Sequence, residues 1–386
     1  MEEWKEYRLE KLTIGKGEYG IGASAVPFDS SKYTYLRITD INDDGTLNKQ
    51  NLMSVDDINA CNYILKKNDI VFARTGNSTG RSYFYDGSDG VLVYAGFLIK
   101  FSIDDNKVNP RILKYYTHSK PYFDWVHSFD TGGTRGNINA KTYGTMPIIL
   151  PSRKIQDKIV SILKSFDDKI ELNRRINENL EQQAQALFKS WFVDFEPFQD
   201  GKFVNSELGM IPERWKAGNL EELVEVKYGK DHKKLASGTI PVYGSGGIMR
   251  YVDQYLYNEE SVLIPRKGSL NNVMYVNHPF WTVDTMFYTH MKIEGIAKFI
   301  YLLISPKDLL SMNSGSAVPS MTVDILNKIA VIIPPTTILQ QFESIVKPLF
   351  IMAESLQKEN YRLAHLRDTL LPKLMSGELK INDLSI

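Results

Sequence analysis

The sequence contains the same pattern twice, and this internal repeat limits the possible folds more than any other feature. The three matched pairs of segments are 4–12 with 215–223, 69–76 with 261–268, and 147–151 with 330–334. Their separations are 211, 192 and 183 residues, so the first copy holds about 28 extra residues in two insertions. Identity between the copies is weak, but their order is kept. We therefore predict two homologous halves with diverged interiors.

A long helix is predicted at the end of each copy. Pro151 and Pro334 end the preceding strand-like runs, because proline is poorly tolerated inside a strand or a helix, and the helices should begin after them. Both segments keep a four-three spacing of seam positions over about four heptads, as coiled coils do. The positions expected to pair the helices are Phe166, Asn177, Leu180, Leu187, Leu349, Leu356, Asn360, Leu363 and Leu370. The matched register favours two helices that pair with each other over two helices that each pack only on their own domain. We expect an antiparallel pair of helices of about 35 residues, or ~50 Å. Pro197 would bound the first helix, and Pro372 would end or kink the second.

The segments between the helices mix short β-rich runs with a few helical ones, which predicts an α+β fold with a twisted sheet in each half. The expected β-rich runs are 35–39, 70–73, 91–101 and 146–150, with a helical segment at 110–119. The predicted organisation is a first globular domain at 1–150, a central spacer helix at 151–196, a linker at 197–214, a second globular domain at 215–333, a distal spacer helix at 334–377 and a tail at 378–386.

Charge and composition narrow the classes of function. The 46 basic and 46 acidic residues give a formal net charge of zero, which argues at first sight against a nucleic-acid binder that works as a polycation. The single cysteine, Cys61, excludes a disulfide framework and a cysteine-based zinc cluster, and the six histidines form no H-x-x-x-H pair. The acidic start is unlike a signal peptide, and no apolar run approaches the ~18 residues of a membrane span. We therefore expect a cytoplasmic protein.

Loops in both halves are rich in side chains that can contact DNA. Glycine allows close approach to phosphate, hydroxyl groups bind phosphate oxygens, and Arg and Asn can read base edges. The candidates in the first half are Arg74, Thr75, Asn77, Ser78, Thr79, Arg81, Thr134, Arg135 and Asn137; those in the second half are Lys230, Lys233, Lys234, Arg250, Arg266, Lys267, Ser269, Asn271, Asn272 and Ser316. Such loops are also common as plain turns. The equivalent placement of Arg74 and Arg266, and of Gly132 and Gly315, in the repeat gives the DNA interpretation about the same support as plain turns.

Motifs for catalysis are poorly supported. The segment 76–82 has three residues between its glycines and Arg where a phosphate-binding loop has Lys, and the glycine-rich segment 243–247 lacks a βαβ context. The sequence holds no Asn/Asp-Pro-Pro-aromatic run, no Gly-x-Ser-x-Gly elbow and no nuclease-like carboxylate–lysine cluster. The acidic pair Asp167 and Asp168 is interpreted as part of a solvated helix face. No catalytic, cofactor-binding or metal-binding residue is predicted.

Three segments carry a family resemblance: 186–197 (ALFKSWFVDFEP), 207–216 (ELGMIPERWK) and 366–379 (LRDTLLPKLMSGEL). Together with the repeat, they resemble the specificity subunits of Type I restriction–modification systems over essentially the whole chain. The resemblance implies a non-catalytic reader of double-stranded DNA, in which each globular domain is a target recognition domain and the target has two specific parts. It implies methyltransferase and restriction subunits as partners and no membrane. It also implies that S-adenosylmethionine for adenine methylation is bound by the methyltransferase partner, that ATP and Mg²⁺ are bound by the restriction partner, and that this chain binds no cofactor.

The recognition domains are the variable part of that family, so no base-reading residue can be transferred by motif. If Arg74 reads a base, its change to Ala should relax one half-site by about 1–3 kcal/mol, whereas an equal loss on every DNA sequence would indicate a phosphate contact. Groove-reading units must lie about a helical turn (~35 Å) or a multiple of it apart, so we expect helix length to set the gap in the target. Two other classes of function remain open: a scaffold with two ligand-binding domains on a helical rod, and a nuclease or methyltransferase that acts alone.

Overall fold

The computed structural model describes residues 4–49, 51–129, 136–312 and 319–379. The chain divides into two compact units. The first contains the chain up to Glu171 and from Glu359 onward, and the second contains Leu172–Lys358. The boundaries fall inside the two long helices, whereas the sequence suggested boundaries at their starts. Each long helix therefore contributes one part to each unit.

The described residues form 21 strands and seven α-helices. The strands are β1 (Lys5–Arg8), β2 (Thr13–Tyr19), β3 (Ala25–Pro27), β4 (Tyr33–Leu36), β5 (Met53–Val55), β6 (Asp69–Ala73), β7 (Ser82–Tyr85), β8 (Leu92–Tyr94), β9 (Leu98–Ile103), β10 (Pro147–Leu150), β11 (Phe203–Ser206), β12 (Gly209–Pro212), β13 (Lys216–Asn219), β14 (Val224–Tyr228), β15 (Ser237–Gly244), β16 (Gly247–Val252), β17 (Ser261–Pro265), β18 (Met274–Val276), β19 (Trp281–Thr282), β20 (Met286–Met291) and β21 (Ala330–Ile333). The helices are α1 (Pro110–Tyr116), α2 (Lys120–His127), α3 (Ala140–Gly144), α4 (Arg153–Phe192), α5 (Ala297–Ile304), α6 (Val323–Asn327) and α7 (Thr336–Ser376).

The first unit is built around a four-stranded sheet in the order β2-β9-β6-β7, in which all neighbours are antiparallel. All five residues of β6 are buried, as expected for a central strand covered on both faces. Ile70 and Phe72 belong to a core shared with α1–α4 and the end of α7, whereas Val71 and Ala73 belong to a core shared with the sheet β3-β5-β4-β8. Alternate side chains of β6 thus point to opposite faces of the sheet, one covered by helices and the other by a second sheet.

The second unit has the same plan. Its main sheet follows the order β14-β20-β17-β18, and β17 is buried along its whole length. Val262 and Ile264 pack in a core with α4–α7, whereas Leu263 packs in a core with the sheet β16-β15-β19. The strand pairs β1–β10 and β13–β21 close the two units in the same way. The α+β class and the repeat predicted from the sequence are therefore confirmed.

The two long helices extend further than the sequence suggested. Helix α4 has 40 residues and α7 has 41, which corresponds to ~60 Å each. Pro372 does not end the second helix, as the sequence suggested it could, because α7 continues through Pro372 to Ser376. The chain leaves the helix at Gly377, whose φ of 74° is left-handed. A side chain there would also collide with Trp4, since a Cβ atom would lie 2.7 Å from the indole nitrogen.

The helices pair in opposite directions within each unit. In the first unit, Asp167 of α4 contacts Arg367 of α7, and Lys169, two residues further along α4, contacts Glu359, eight residues earlier in α7. In the second unit, Phe188 and Phe192 near the end of α4 pack on Phe342 near the start of α7. The predicted pairing residues all lie at buried or half-buried positions: Phe166, Asn177, Leu180, Leu187, Leu349, Leu356, Asn360, Leu363 and Leu370. This confirms the antiparallel pair.

Three other expectations need correction. The β-rich run 91–101 is two strands of different sheets, β8 and β9, because the chain turns between Tyr94 and Leu98. The segment 197–214 is more than a linker, since it forms the hairpin β11–β12 in the second unit. Asp167 does not lie on a solvated face; its carboxylate accepts hydrogen bonds from Lys114 and Tyr115. Asp168 is exposed, as expected.

Candidate nucleic-acid interface

In the first unit, the candidate surface begins with Arg74, the residue that follows β6. Its backbone N–H donates to the carbonyl of Phe97 at 3.1 Å, and its carbonyl accepts from the N–H of Ile138 at 3.0 Å. The guanidinium carbon lies 5.3 Å from the ring centre of Tyr19 and 5.8 Å from that of Phe97. Tyr19 is the last residue of β2. The segments that contain Tyr19, Phe97 and Ile138 therefore together hold Arg74 in place, with its guanidinium group over the Tyr19 ring.

Arg266, directly after β17, has an equivalent backbone setting in the second unit. Its N–H donates to the carbonyl of Thr285 at 2.8 Å, and its carbonyl accepts from the N–H of Met321 at 2.9 Å. Its guanidinium carbon lies 5.4 Å from the ring centre of Tyr228, the last residue of β14. The guanidinium also donates to the carbonyl of Asp284 at 3.3 Å. We call the pairs Arg74–Tyr19 and Arg266–Tyr228 the arginine–tyrosine pairs.

Each tyrosine is followed by a glycine that the packing requires. A Cβ atom on Gly20 would lie 2.3 Å from the carbonyl oxygen of Ala95, and one on Gly229 would lie 2.0 Å from that of Val283. Only glycine can approach a neighbouring carbonyl so closely. Sequence reasoning missed both tyrosines. The signal that could have identified them is the Tyr-Gly dipeptide at the end of the second strand of each half.

The rest of the first loop is stabilised mainly by its own contacts. The hydroxyl of Thr79 donates to the carbonyls of Gly76 and Gly136, and Ser78 is buried. Arg81 donates to the carbonyl of Ile41 and forms a salt bridge with Asp43 at 2.6 Å, so it braces the loop. The candidates that face solvent or are half-buried beside Arg74 are Thr75, Asn77 and Asn137.

In the second unit, two predicted base readers serve structural contacts. The side chain of Asn271 donates to the carboxylate of Asp308 at 3.1 Å, and that of Asn272 donates to the carbonyl of Ser245 at 2.8 Å. Arg250 donates to the carbonyl of Leu235 at 2.8 Å, which restrains the loop that contains Lys230, Lys233 and Lys234. Those three lysines are exposed, as are Lys267 and Ser269. Thr134, Arg135 and Ser316 lie outside the described residues.

Exposed carboxylates reduce the positive charge of this surface. The backbone N–H of Lys233 holds the pKa of Asp231 below its usual value, and the side-chain amide of Asn271 does the same for the pKa of Asp308. Both groups are therefore ionised at neutral pH and offset part of the charge of the neighbouring lysines. Within the described ranges, no cluster of three or more His, Cys, Asp or Glu side chains is arranged to hold a metal ion. None of the helices described in this chain combines the length and apolar character needed to cross a bilayer.

Comparison with known proteins identifies the family of this chain. Residues 1–182 and 212–363 match the Type I restriction modification DNA specificity domain. The chain is 30% identical to the Type I restriction enzyme MjaIX specificity subunit of Methanocaldococcus jannaschii, over 70% of this chain and 69% of that protein. It is 24% identical to the HindI specificity subunit of Haemophilus influenzae, over 98% and 100% of the two proteins. The crystal structure of the Type I S subunit from M. genitalium shares the fold with a TM-score of 0.54, 19% identity and coverage of 97% and 96%. The chain therefore belongs to the specificity subunits of Type I restriction–modification systems.

Proposed function

We propose that this chain is the DNA-recognition subunit of a Type I restriction–modification enzyme and reads a bipartite target, one part with each unit. The observation that carries the proposal is the repeated arginine–tyrosine pair, which places a half-buried guanidinium at the same position of two homologous units. Two copies of one surface on one chain suit a target with two specific parts. Because its ligand is duplex DNA, we propose that the chain works in the cytoplasm.

The chemistry is proposed to reside on partner subunits. In this arrangement, a methyltransferase subunit binds S-adenosylmethionine and methylates adenine, and a restriction subunit binds ATP and Mg²⁺. This chain would contribute no catalytic residue and no cofactor site. The proposal is supported by the family to which the chain belongs and by the relatives, which are named as specificity subunits of restriction enzymes.

The charge of the two halves predicts how tightly the isolated chain binds. Residues 4–150 contain 18 basic and 16 acidic side chains, and residues 215–333 contain 12 and 11, so the net charges are +2 and +1. Affinity for DNA rises with the number of phosphates neutralised, so neither half can bind strongly as a polycation. We expect weak, salt-sensitive binding by the chain alone and tight, specific binding in the complex. Tight specific binding by the isolated chain at physiological salt would contradict this expectation.

Mapping of methylated adenines tests the proposal most directly. The chain is co-expressed with the Type I methyltransferase subunit of the same organism, and methylated adenines are mapped in the host DNA. We expect one bipartite motif that disappears when this chain is omitted. A motif that does not depend on this chain would refute the proposed role.

The purified chain gives two further tests. Incubated alone with DNA, Mg²⁺ and S-adenosylmethionine, it should neither nick nor methylate the DNA; either activity would instead support an enzyme that acts alone. Its weak retention on duplex DNA should decrease as the salt concentration rises, whereas a scaffold for other ligands should not be retained.

A further inference from the structure

We propose that Arg74 and Arg266 contact the DNA backbone rather than bases, and that the arginine–tyrosine pairs form the sequence-independent part of each recognition surface. This inference rests on the proposed function and specifies what one residue of each unit does in it.

The first argument comes from comparing the two units. In both units the arginine N–H and carbonyl bond to backbone groups at equivalent places in the fold, and the distances from the guanidinium carbon to the tyrosine ring centre differ by only 0.1 Å. The residues that follow the arginines differ: Thr-Gly-Asn-Ser-Thr in the first unit and Lys-Gly-Ser-Leu-Asn in the second. The position that flanks the arginine also differs, because Phe97 occupies it in one unit and Thr285 in the other. Base contacts carry sequence information and should diverge between the halves, whereas phosphates are common to every sequence.

The second argument comes from the charges around the guanidinium groups. Arg81, in the same loop as Arg74, is neutralised by Asp43, and Arg111 in the same unit is neutralised by Asp86. By contrast, neither Arg74 nor Arg266 forms a salt bridge with a carboxylate in the described part of the chain. The Nε atom of Arg74 is buried and has no hydrogen-bond partner among the described residues. Neither guanidinium therefore has an anionic partner among the described residues, and a phosphate oxygen is the acceptor that suits both.

The third argument is that the rings hold the guanidinium groups in place. The hydroxyl of Tyr19 accepts a hydrogen bond from the N–H of Ala140 at 3.1 Å, and Tyr228 packs edge-on against the buried Phe287 at 5.1 Å. Both tyrosine residues nevertheless remain exposed, Tyr19 by 45% and Tyr228 by 53%. A cation–π contact restrains the guanidinium without using its N–H donors, so the donors that are not bonded elsewhere can be presented to a phosphate. The tyrosines are positioning residues in this scheme.

The test uses the assembled complex of this chain with its methyltransferase subunits and the target mapped as described above. Binding is measured at several salt concentrations on the cognate duplex and on duplexes in which one half-site, or both, is scrambled. The variants are R74A, R74K, R266A, R266K and Y19L, and the matched control is K67A. Lys67 is an exposed cation next to the opposite end of the same strand, β6.

We expect R74A and R266A to weaken binding on every duplex by about tenfold and to reduce the slope of log K against log salt by about one. R74K and R266K should retain most of the affinity, because lysine also binds phosphate as a point charge. Y19L should cost about threefold, as expected for loss of a cation–π contact. K67A should bind as the wild type does.

Three results would overturn the inference. One is a loss in R74A or R74K that is confined to duplexes with one intact half-site, which would show a base contact. Another is unchanged binding by R74A on all duplexes. The third combines two observations: R74K binds DNA as the wild type does, and R74A has a melting temperature so low that its unfolded fraction explains its whole loss of DNA affinity. Arg74 would then have a structural role. Failure of the proposed function gives a different result, since the wild-type complex would then bind cognate and fully scrambled duplexes equally.

Discussion

Asp167 of α4 accepts a hydrogen bond from Arg367 of α7 at 2.9 Å, although the two residues are 200 positions apart in the chain. The other carboxylate oxygen accepts from Lys114 at 2.7 Å and from the hydroxyl of Tyr115 at 3.0 Å. The Asp167 side chain is only 14% exposed. Burial by itself would raise the pKa of Asp167, but Lys114 and Arg367 outweigh burial and hold it below its usual value. The Asp167 carboxylate thus connects α4 to α1 and to α7 within the first unit.

Changing Asp167 to Asn should therefore destabilise the protein. The variant leaves Lys114 and Arg367 as neighbouring, partly buried cations without their shared anion, and we expect a loss of about 2–3 kcal/mol in the free energy of unfolding. Urea unfolding, followed by a spectroscopic signal from the first unit, would measure this loss of stability. D168N is the matched control, because Asp168 is exposed and its salt-bridge partner among the described residues is Lys164 one turn away, so its loss should stay below about 0.5 kcal/mol. Equal effects of the two variants would contradict the role of Asp167.

The same ion pairs predict a dependence of stability on pH. A carboxylate whose folded-state pKa is lowered adds stability that is fully present above its unfolded pKa, about 3.9 for Asp, and is lost as the pH falls through the folded value. The melting temperature of the wild type should therefore approach that of D167N as the pH is lowered from about 6 to about 3. A difference between the two proteins that stays constant over this range would show that the charge of Asp167 is not the cause.

Much of the fold could be predicted because the repeat and the heptad spacing are patterns along the chain. The role of Asp167 could not, since its position next to Asp168 and Lys169 is typical of an exposed helix face, and its partners Lys114 and Arg367 are remote in sequence. The break between β8 and β9 was missed for a related reason: the run 91–101 is apolar except for Gly96 and Lys100, and only packing assigns its two parts to different sheets.

The candidate site was predictable to the extent that it depends on the repeat. Arg74 and Arg266 were found because they occupy the same place in the matched segments 69–76 and 261–268, which are 192 residues apart. Tyr19 and Tyr228 were missed because they are two of 21 tyrosines and because their separation, 209, differs from that of the arginines. Asn271 has base-reading chemistry, but only the structure shows that its side chain is bonded to Asp308.

Replacing the seam residue Asn177 by Leu should stabilise the second unit. The Oδ1 atom of Asn177 is buried and lacks a hydrogen-bond partner among the described residues, and an unpaired buried acceptor costs about 1–3 kcal/mol. We expect N177L to raise the free energy of unfolding by about 1 kcal/mol in urea. N179L, at an exposed position two residues along α4, is the control and should change it by less than about 0.5 kcal/mol. Destabilisation by N177L would show that the amide contributes more to the seam than its unpaired oxygen costs.

The length of the two long helices should set the gap between the two parts of the DNA target. The chain passes from one unit to the other only within α4 and within α7, at 171–172 and at 358–359. Deleting residues 174–180 and 357–363 removes the equivalent heptad from each helix and keeps the four-three spacing of the seam. Each helix then becomes about 10.5 Å shorter, which corresponds to about three base pairs of DNA.

We expect mapping of methylated adenines in the co-expressed complex to show a gap about three base pairs shorter, or no methylation if the altered phase around the duplex prevents both units from binding. The control substitutes Ala at the exposed positions Glu178 and Asn179 and keeps the helix length, so its gap should be unchanged. Methylation of the original motif at the original level by the shortened protein would show that the helices do not set the gap. A shortened protein that no longer co-purifies with the methyltransferase subunit is distinguished by a pull-down, and the deletion is then repeated with the equivalent residues 170–176 and 353–359, which leave Asp167 and Arg367 in place. Loss of the complex in both deletions would assign the heptads to subunit assembly instead of spacing.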